Sequence, residues 1–464
     1  MKRFGAISFV FLLVISTALS GCSEKTKSTL NNSTVTPKTQ KNSEVTKAPE
    51  VKTIKVWSYA AELPNTLKKF KELHPDFGYD IEAKDLSNAE SSYQVLLDEA
   101  LAAGGAEAPD IYGVDSSFAI KYTQGDAYQY ASDYKDLGID VDKLLKETSI
   151  AQYVIDMGTN PDGKLVGLGY QSTGGAFIYR RSIAKDVWGT EDPSKIKAII
   201  GPGWDKFFSA AAVLKAKGYG ICSAINDIWQ PVFNSADQGW VVDGKLVIDS
   251  KREQFIDLAM KLKKNGYTNN TQPWTDGWFN DMKDGGKKKI FGFFGPAWLI
   301  NYVMIAHSGG EKVGKGTYGD WAVCEPSINF FQAGSLVLAN KNTKPKTAVG
   351  EIIKWLTLDS SETGLQYLWA NDKLGLGAKD SVSSSTVMKK SDGKMDFLGG
   401  QNLFDVYIPA TQNTNGKNLT KYDESINTYW VDEVKEYVNG KKSREKAIAD
   451  FKQQVKDNLD IDIE

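Results

Sequence analysis

The chain has 464 residues, of which 41% are hydrophobic and 25% are charged, and its formal net charge is −2. This composition is typical of a globular protein of two or three domains, and the near-neutral charge gives no broad attraction to nucleic acid or anionic lipid. Three cysteines and two histidines leave little for a disulfide framework, a zinc-type site or histidine-dependent nucleophilic catalysis. Cys222 and Cys324 either pair or lie buried and separate, and we favour the second. We expect no metal, no cofactor and no catalytic residue.

The first 22 residues are typical of an exported protein. Lys2 and Arg3 precede an uncharged run of about 16 residues, shorter than the roughly 20 that a membrane-spanning helix needs. A basic start and a short apolar core predict a signal peptide over residues 1–21. Residues 19–22, Leu-Ser-Gly-Cys, resemble the lipobox of bacterial lipoproteins, in which the cysteine carries the lipid. We therefore predict lipidation at Cys22; the alternative is an ordinary signal peptide with an incidental cysteine.

Residues 22–52 are rich in Ser, Thr, Asn and Lys and show no apolar periodicity. Such a segment buries too little apolar surface to fold, so we predict a flexible spacer after the lipidated cysteine. We expect a monomer that is held at the cell membrane by its lipid anchor alone and faces the extracellular side or the periplasm.

Alternating strand and helix patterns begin at residue 53. Three segments have strand composition: 53–59, 80–86 and 109–115. Apolar residues at helical spacing fill the two intervals between them. This alternation favours an α/β fold with a mostly parallel sheet, in which ligands bind beyond the carboxyl ends of the strands. Here those ends carry residues 59–62, 85–88 and 115–117.

The middle of the chain mixes strands and helices, and its last part is chiefly helical. We predict strands at 165–170 paired with 175–181, at 220–226, at 289–298 running into a turn, at 318–325 and at 334–340. Ser250 and Glu253 form a capping box at the start of a predicted helix. Residues 372–422 look irregular and rich in loops, and two further helices close the chain.

Short motifs follow one another in a fixed order from residue 53 to the end of the chain. They occupy residues 54–57, 66–74, 102–105 with 109–110, 163–167, 203–205, and 283–286 with 295–298. In this order and spacing the chain resembles the family 1 extracellular solute-binding proteins of ABC transporters, the sugar-binding group that includes maltose-binding protein.

The resemblance implies a two-lobed, periplasmic-binding-protein-like α/β fold of type II, with solute held in a hinged cleft between the lobes. The first crossing between lobes is expected near residues 168–173 and the second near 331–335. A third is expected in the irregular region before the last two helices. Lobe 1 would comprise residues 53–170 plus about 336–410, and lobe 2 residues 171–335 plus about 411–464.

A sugar site needs aromatic faces for the C–H surface of the ring, and carboxylates and amides for its hydroxyls. The candidate binding residues are Tyr59, Glu62, Asp115, Ser116, Gln171, Asp227, Trp229, Trp278, Trp298, Trp369 and Tyr429. Asp115 is equally well explained as a helix cap, and Glu62 as a charge that complements a helix dipole. Trp369 and Tyr429 are alternatively core residues.

The resulting prediction is the substrate-binding lipoprotein of an ABC importer. It would capture an oligosaccharide, with a β-linked gluco-oligosaccharide such as a cellodextrin as first choice, and deliver it to the transmembrane subunits of the permease. Two alternatives stay open. One is a secreted glycoside hydrolase, which needs two carboxylates beside the scissile bond. The other is a binding lipoprotein for a polyamine, an iron complex or a phosphodiester.

Overall fold

The computed structural model describes residues 52–89, 93–375 and 379–463, which belong to one compact unit. The predicted signal peptide, Cys22 and the spacer up to residue 51 lie outside the described residues. Within the described part, no helix has the length and apolar character needed to cross a membrane.

The strands lie mostly where alternating or fully apolar segments predicted them. They are β1 Thr53–Ser58, β2 Asp80–Asp85, β3 Ile111–Asp115, β4 Gly167–Gly169, β5 Ala176–Arg180, β6 Val241–Val242, β7 Lys245–Leu246, β8 Gly292–Gly295, β9 Trp321–Cys324, β10 Ser335–Ala339, β11 Lys394–Met395 and β12 Gln401–Asn402. β6 pairs with β7 and β11 pairs with β12 as small two-stranded ribbons.

Helices cover the sheets and carry most of the remaining chain. They are α1 Glu62–Leu73, α2 Tyr93–Ala103, α3 Ala119–Thr123, α4 Val141–Thr148, α5 Gln152–Gly158, α6 Arg181–Trp188, α7 Pro193–Ile200, α8 Trp204–Ala216, α9 Trp229–Asn234, α10 Ser250–Lys264, α11 Asp276–Met282, α12 Ala297–Leu299, α13 Ile305–His307, α14 Lys346–Thr357, α15 Leu365–Ala370, α16 Ser385–Lys389, α17 Phe404–Gln412, α18 Asp423–Val438 and α19 Arg444–Leu459. A π-helical turn, Ile300–Met304, joins α12 to α13.

The first sheet has five strands in the order β2-β1-β3-β10-β4. β1 is parallel to β2 and β3, and β10 is antiparallel to both β3 and β4. Four strands therefore share one direction, which confirms the mostly parallel sheet. As a consequence, the carboxyl ends of β1, β3 and β4 and the amino end of β10 meet at one edge.

The second sheet has the order β8-β5-β9, and both of its pairings are antiparallel. β5 is buried on both faces, with Phe177 and Tyr179 in one hydrophobic cluster and Ala176 and Ile178 in the other. The predicted pairing of residues 165–170 with 175–181 is wrong. β4 pairs with β10 and β5 pairs with β8 and β9, because the chain changes sheets between β4 and β5.

Two crossing segments connect the sheets, one between β4 and β5 and one between β9 and β10. They pair with each other through a single antiparallel bridge between Gly174 and Phe331. The hydroxyl of Ser172 in the first crossing also bonds that of Thr411 on α17. A Cβ at Gly174 would lie 2.7 Å from Thr411 Oγ1, so the close approach of α17 requires glycine there. The exact lobe boundaries stay a prediction.

Three local expectations differ from the structure. α10 is capped by Asp249, whose carboxylate accepts a hydrogen bond from the backbone N–H of Lys251 at 2.9 Å, and not by the predicted Ser250–Glu253 box. Segment 220–226 makes isolated bridges and then a 3₁₀ turn instead of a strand. The stretch 372–422 contains α16 and α17, and buried contacts hold α17 as a helix despite its internal proline, Pro409.

Cys222 and Cys324 are both free and buried, which is the alternative that we favoured.

Candidate functional site

One edge of the first sheet forms a wall of a cavity of about 200 Å³. Tyr59 follows the end of β1, Asp115 ends β3 and Ser335 begins β10, so the sheet topology brings the three side chains together. Glu62 is the first residue of α1, which follows β1, and Gln171 follows β4. All five residues line the cavity.

The other wall of the cavity comes from the side of the second sheet. Trp298 lies on α12, directly after β8, and Tyr302 lies on the π-helical turn. Trp298 Nε1 donates a hydrogen bond of 3.1 Å to the carbonyl oxygen of Gln332 in the second crossing. The side chain of Tyr302 is 45% exposed although it is large and aromatic. π-helical turns are frequent at functional sites, and this one turns an aromatic ring into the cavity.

A hydrogen-bonded group of side chains fixes the wall at β1, β3 and β10. The Tyr59 hydroxyl donates to Asp115 Oδ2 at 3.2 Å and lies 2.7 Å from Ser335 Oγ. Asp115 Oδ1 accepts from the backbone N–H of Ser117 at 2.9 Å, which fixes the turn after β3. Asp115 does not cap a helix, because α3 begins at Ala119 and has no side-chain cap, so the capping alternative is wrong. Burial raises the pKa of the Asp115 carboxyl above its ordinary value, while these hydrogen bonds oppose the rise.

A second group links Glu62 to a buried carboxyl behind it. Tyr170 donates to Glu62 Oε1 at 2.7 Å, and Gln171 Nε2 lies 3.5 Å from Glu62 Oε2 and 3.4 Å from Asp380 Oδ2. Burial raises the pKa of Glu62 to about 7, although the bonds from Tyr170 and Gln171 lower it. The pKa of Asp380 is also raised to about 7, first by burial and then by the charge of Glu62. Gln171 thus bridges two carboxyl groups, and burial makes the ionised form of each carboxyl group unfavourable.

These two carboxyl groups predict that stability falls as the pH rises. Their pKa values in the folded chain exceed the ordinary values of 4.5 and 3.8, so the folded chain binds protons more tightly than the unfolded chain. The raised pKa values therefore stabilise the folded chain at low pH, and this stabilisation is lost as the pH rises from about 4 to about 7. Because Glu62 is partly open to the cavity, we expect Glu62→Gln to remove about 1–2 kcal/mol of the pH dependence. Urea denaturation at pH 5, 6 and 7.5 measures it.

Glu147→Gln is the matched control for this experiment, because Glu147 is exposed on α4 and the chemical change is the same. It should leave the pH profile of the parent unchanged. Equal slopes for the parent and Glu62→Gln would contradict the prediction.

The lining of the cavity is acidic. Glu62 and Asp115 contribute carboxyl groups, and no lysine, arginine or histidine is among the described residues that line it. Carboxylates accept hydrogen bonds from hydroxyls or bind cations, and they repel anions. The site therefore fits a polyhydroxylated neutral solute or an organic cation, and it disfavours a phosphodiester.

Trp229 lies away from the cavity, contrary to its prediction as a binding residue. It is 6% exposed and packs in the second hydrophobic cluster, with ring centroids 4.9 Å from Phe255 and 5.9 Å from Phe233. The predicted strand before it does not form, so Trp229 begins α9 with its ring turned into the core. Trp229 is therefore a core residue.

Other predicted residues lie beside or behind the cavity. Ser116 lines a neighbouring cavity of about 70 Å³, which shares Ala333 with the first. Trp369 is buried and stacks on Tyr170 at a centroid distance of 5.5 Å, so it supports the ring that bonds Glu62. Tyr429 packs against the second hydrophobic cluster, as its core alternative expected.

Asp227 and Trp278 bond each other and do not line the cavity. Asp227 Oδ1 accepts from Trp278 Nε1 at 3.0 Å, and its Oδ2 accepts from the backbone N–H groups of Ser223 and Ala224. Trp278 is 4% exposed. Both residues therefore fix local structure on the side of the second sheet.

Three residues of the site were missed in the sequence. Ser335 lies in the predicted strand 334–340, but its place beside Asp115 follows only from the insertion of β10 next to β3. Asp380 lies in a stretch that looked irregular. Tyr302 carries no signal in the sequence, because its direction depends on the π-helical turn.

The cavity lies between elements of the two sheets, and two crossing segments join those sheets. This arrangement is typical of a two-lobed binding protein. Residues 65–395 match the model of a family described as bacterial extracellular solute-binding protein, and the chain belongs to this family. No curated protein matches the chain.

Solved structures share the fold over almost their whole length. A crystal structure of an extracellular solute-binding protein family 1 is 16% identical with a TM-score of 0.69, over 87% of this chain and 99% of that one. The galacto-N-biose-/lacto-N-biose I-binding protein of an ABC transporter from Bifidobacterium longum, in complex with lacto-N-biose, is 16% identical with a TM-score of 0.66, over 90% and 100%. The sugar-binding protein MalE from Xanthomonas citri is 14% identical with a TM-score of 0.64, over 87% and 96%. The predicted two-lobed, periplasmic-binding-protein-like fold is confirmed.

Proposed function

We propose that this chain is the sugar-binding component of an ABC importer and captures an oligosaccharide in the cavity between its two sheets. The observation that carries the proposal is the pairing of an aromatic wall, Trp298 and Tyr302, with a wall of carboxyl, hydroxyl and amide groups. Sugar rings have the same two kinds of surface. The sugar-binding neighbours from Bifidobacterium longum and Xanthomonas citri, which share the fold, support it.

Each wall has a separate task in this proposal. The half-buried ring of Trp298 is held by its bond to Gln332 and offers a fixed face to the C–H surface of a sugar. Asp115 and Glu62 accept hydrogen bonds from sugar hydroxyls. The side-chain oxygen of Gln171 can accept another, since its Nε2 already donates to Glu62 and Asp380. Because each of these groups is already bonded to a neighbouring protein group, it is held in place before the ligand arrives, which reduces the entropy lost on binding.

The finer parts of the proposal follow from the sequence. A β-linked gluco-oligosaccharide such as a cellodextrin is the first choice of ligand. The transmembrane subunits of the permease are the proposed partners. The chain would act as a monomer, anchored by a lipid on Cys22 and joined to it by the spacer of residues 22–52. The anchor would keep the protein close to its permease and so raise their effective concentration.

Binding of an organic cation such as a polyamine is the second candidate, because the described cavity lining carries carboxyl groups and no basic side chain. The cavity contains two carboxyl groups, which is also the number that a glycoside hydrolase needs. Both alternatives can be tested in the same experiment as the main proposal.

The test is calorimetric titration of the mature protein at pH 7.5. The panel contains cello-, xylo-, manno- and malto-oligosaccharides, lacto-N-biose, spermidine, and cellobiouronic acid as the charged analogue of cellobiose. We expect micromolar binding of at least one neutral oligosaccharide and at least about tenfold weaker binding of the acidic analogue, because an anion beside Glu62 and Asp115 is repelled. Binding of spermidine alone would favour the second candidate, and release of monosaccharide would favour the hydrolase. Absence of binding to every saccharide would refute the proposal.

A further inference from the structure

Trp274 is a large apolar side chain left open to solvent next to the proposed site. Its side chain is 57% exposed, the largest exposure of any tryptophan in the described part of the chain. A single exposed apolar side chain is common on protein surfaces, so it is the position of this ring beside the cavity that indicates a function.

The ring of Trp274 continues the aromatic wall outward from Trp298. The two indole planes are 11° apart and their centroids are separated by 6.2 Å. The centroid distance is larger than the separation of about 3.5–4 Å between the planes of directly stacked rings, so the two rings do not cover each other completely. Each therefore leaves part of its face uncovered. Trp298 lines the cavity, and Trp274 lies next to Trp298 with a nearly parallel ring.

Trp274 is held in this position by its neighbours. Its ring centroid lies 5.7 Å from that of Trp278 and 6.5 Å from that of Phe279. Trp278 is in turn fixed by the bond from its Nε1 to Asp227. The backbone of Trp274 has φ of 67°, a left-handed conformation that a bulky residue rarely adopts. An exposed ring with a rigid support and an unfavourable backbone points to a selected function instead of to packing.

We propose that Trp274 is a second stacking subsite, which takes the next ring of a saccharide whose first ring lies on Trp298. This inference rests on the proposed function and adds that the ligand has at least two sugar rings. Asp227 and Trp278 then have a positioning task, since they hold the ring of Trp274 without touching the sugar.

Titration of ligands of increasing length tests the subsite. The probes are glucose, cellobiose and cellotriose, with galactose and lacto-N-biose as a second series. In the parent we expect disaccharides to bind at least about tenfold more tightly than the monosaccharide. Trp274→Ala should lose about tenfold in disaccharide affinity and keep the monosaccharide affinity, and Trp274→Phe should lie between. Val313→Ala is the matched control, because Val313 is apolar, 64% exposed and outside the cavity.

A spectroscopic measurement locates the contact. In protein labelled with 5-fluorotryptophan, the ¹⁹F resonance that is missing from Trp274→Phe belongs to Trp274. It should shift on addition of a disaccharide and stay in place on addition of the monosaccharide.

The outcomes separate this inference from the proposed function. Unchanged disaccharide affinity in Trp274→Ala, or an equal loss for monosaccharide and disaccharide, overturns the subsite while sugar binding stands. If unchanged sugar affinity is accompanied by weaker stimulation of the permease, Trp274 contacts the permease and the subsite is again overturned. If the parent binds no probe of either series, both the subsite and this choice of sugar class fail.

Discussion

Trp298→Ala will weaken oligosaccharide binding by about 100-fold, equivalent to about 2.7 kcal/mol at 25 °C. Trp298 supplies the aromatic face of the cavity, and large buried aromatic residues at the centre of a binding surface have the largest effects on truncation. The substitution also removes the bond from Trp298 Nε1 to Gln332, so the second crossing loses a contact beside the site. Calorimetric titration of the parent and the variant measures the change.

The matched control is Trp188→Ala. Trp188 is also partly buried, but it ends α6 and packs on Phe291, and it does not line the cavity. Its removal should leave the affinity within about twofold of the parent, which is under 0.5 kcal/mol. If Trp298→Ala binds as tightly as the parent and remains folded, the cavity is not the sugar site.

Trp229→Ala will reduce the free energy of unfolding by about 3–5 kcal/mol, because it leaves a large hole among packed aromatic rings. Trp229 is 6% exposed and contacts Phe233, Trp240 and Phe255. The folded fraction of the variant should bind oligosaccharide with the affinity of the parent. Urea denaturation gives the stability, and titration below the unfolding transition gives the affinity.

Trp274→Ala is the stability control for this experiment. Trp274 is 57% exposed, and truncation of an exposed ring should change the stability by less than about 1 kcal/mol. A stable Trp229→Ala variant with weakened binding would return Trp229 to the site and contradict its placement in the core.

The first part of the fold could be predicted because its signals are local. β1, β2 and β3 have strand composition, α1 and α2 have apolar residues at helical spacing, and the five elements follow one another closely. The partners of β4 and β5 could not be predicted in this way. An extended segment shows its composition in the sequence but not its neighbour, and the neighbour of β4 is β10, more than 160 residues later, counting from Gly169 to Ser335.

The same difference between local and long-range signals applies to the residues of the candidate site. Tyr59, Glu62 and Asp115 could be selected because ligands bind at the carboxyl ends of strands, and the structure brings them to one cavity with Gln171 and Trp298. That rule failed for Trp229 because the strand predicted before it does not form. Side chains placed by long-range topology left no local pattern in the sequence. Ser335 and Asp380 are of this kind.

The second crossing forms part of the cavity as well as joining the two sheets. Gln332 accepts the bond from Trp298, Ala333 and Gly334 line the cavity, and Ser335 contacts Tyr59. Any change in the angle between the sheets would therefore change the shape of the binding surface. Ligand binding and the angle between the sheets are then thermodynamically linked. A ligand that binds more tightly at one angle stabilises that angle, and a partner that stabilises another angle lowers the affinity for the ligand. The ligand and the partner change each other's affinity by the same factor. A binding partner that holds the two sheets at another angle would in this way release the solute without touching it.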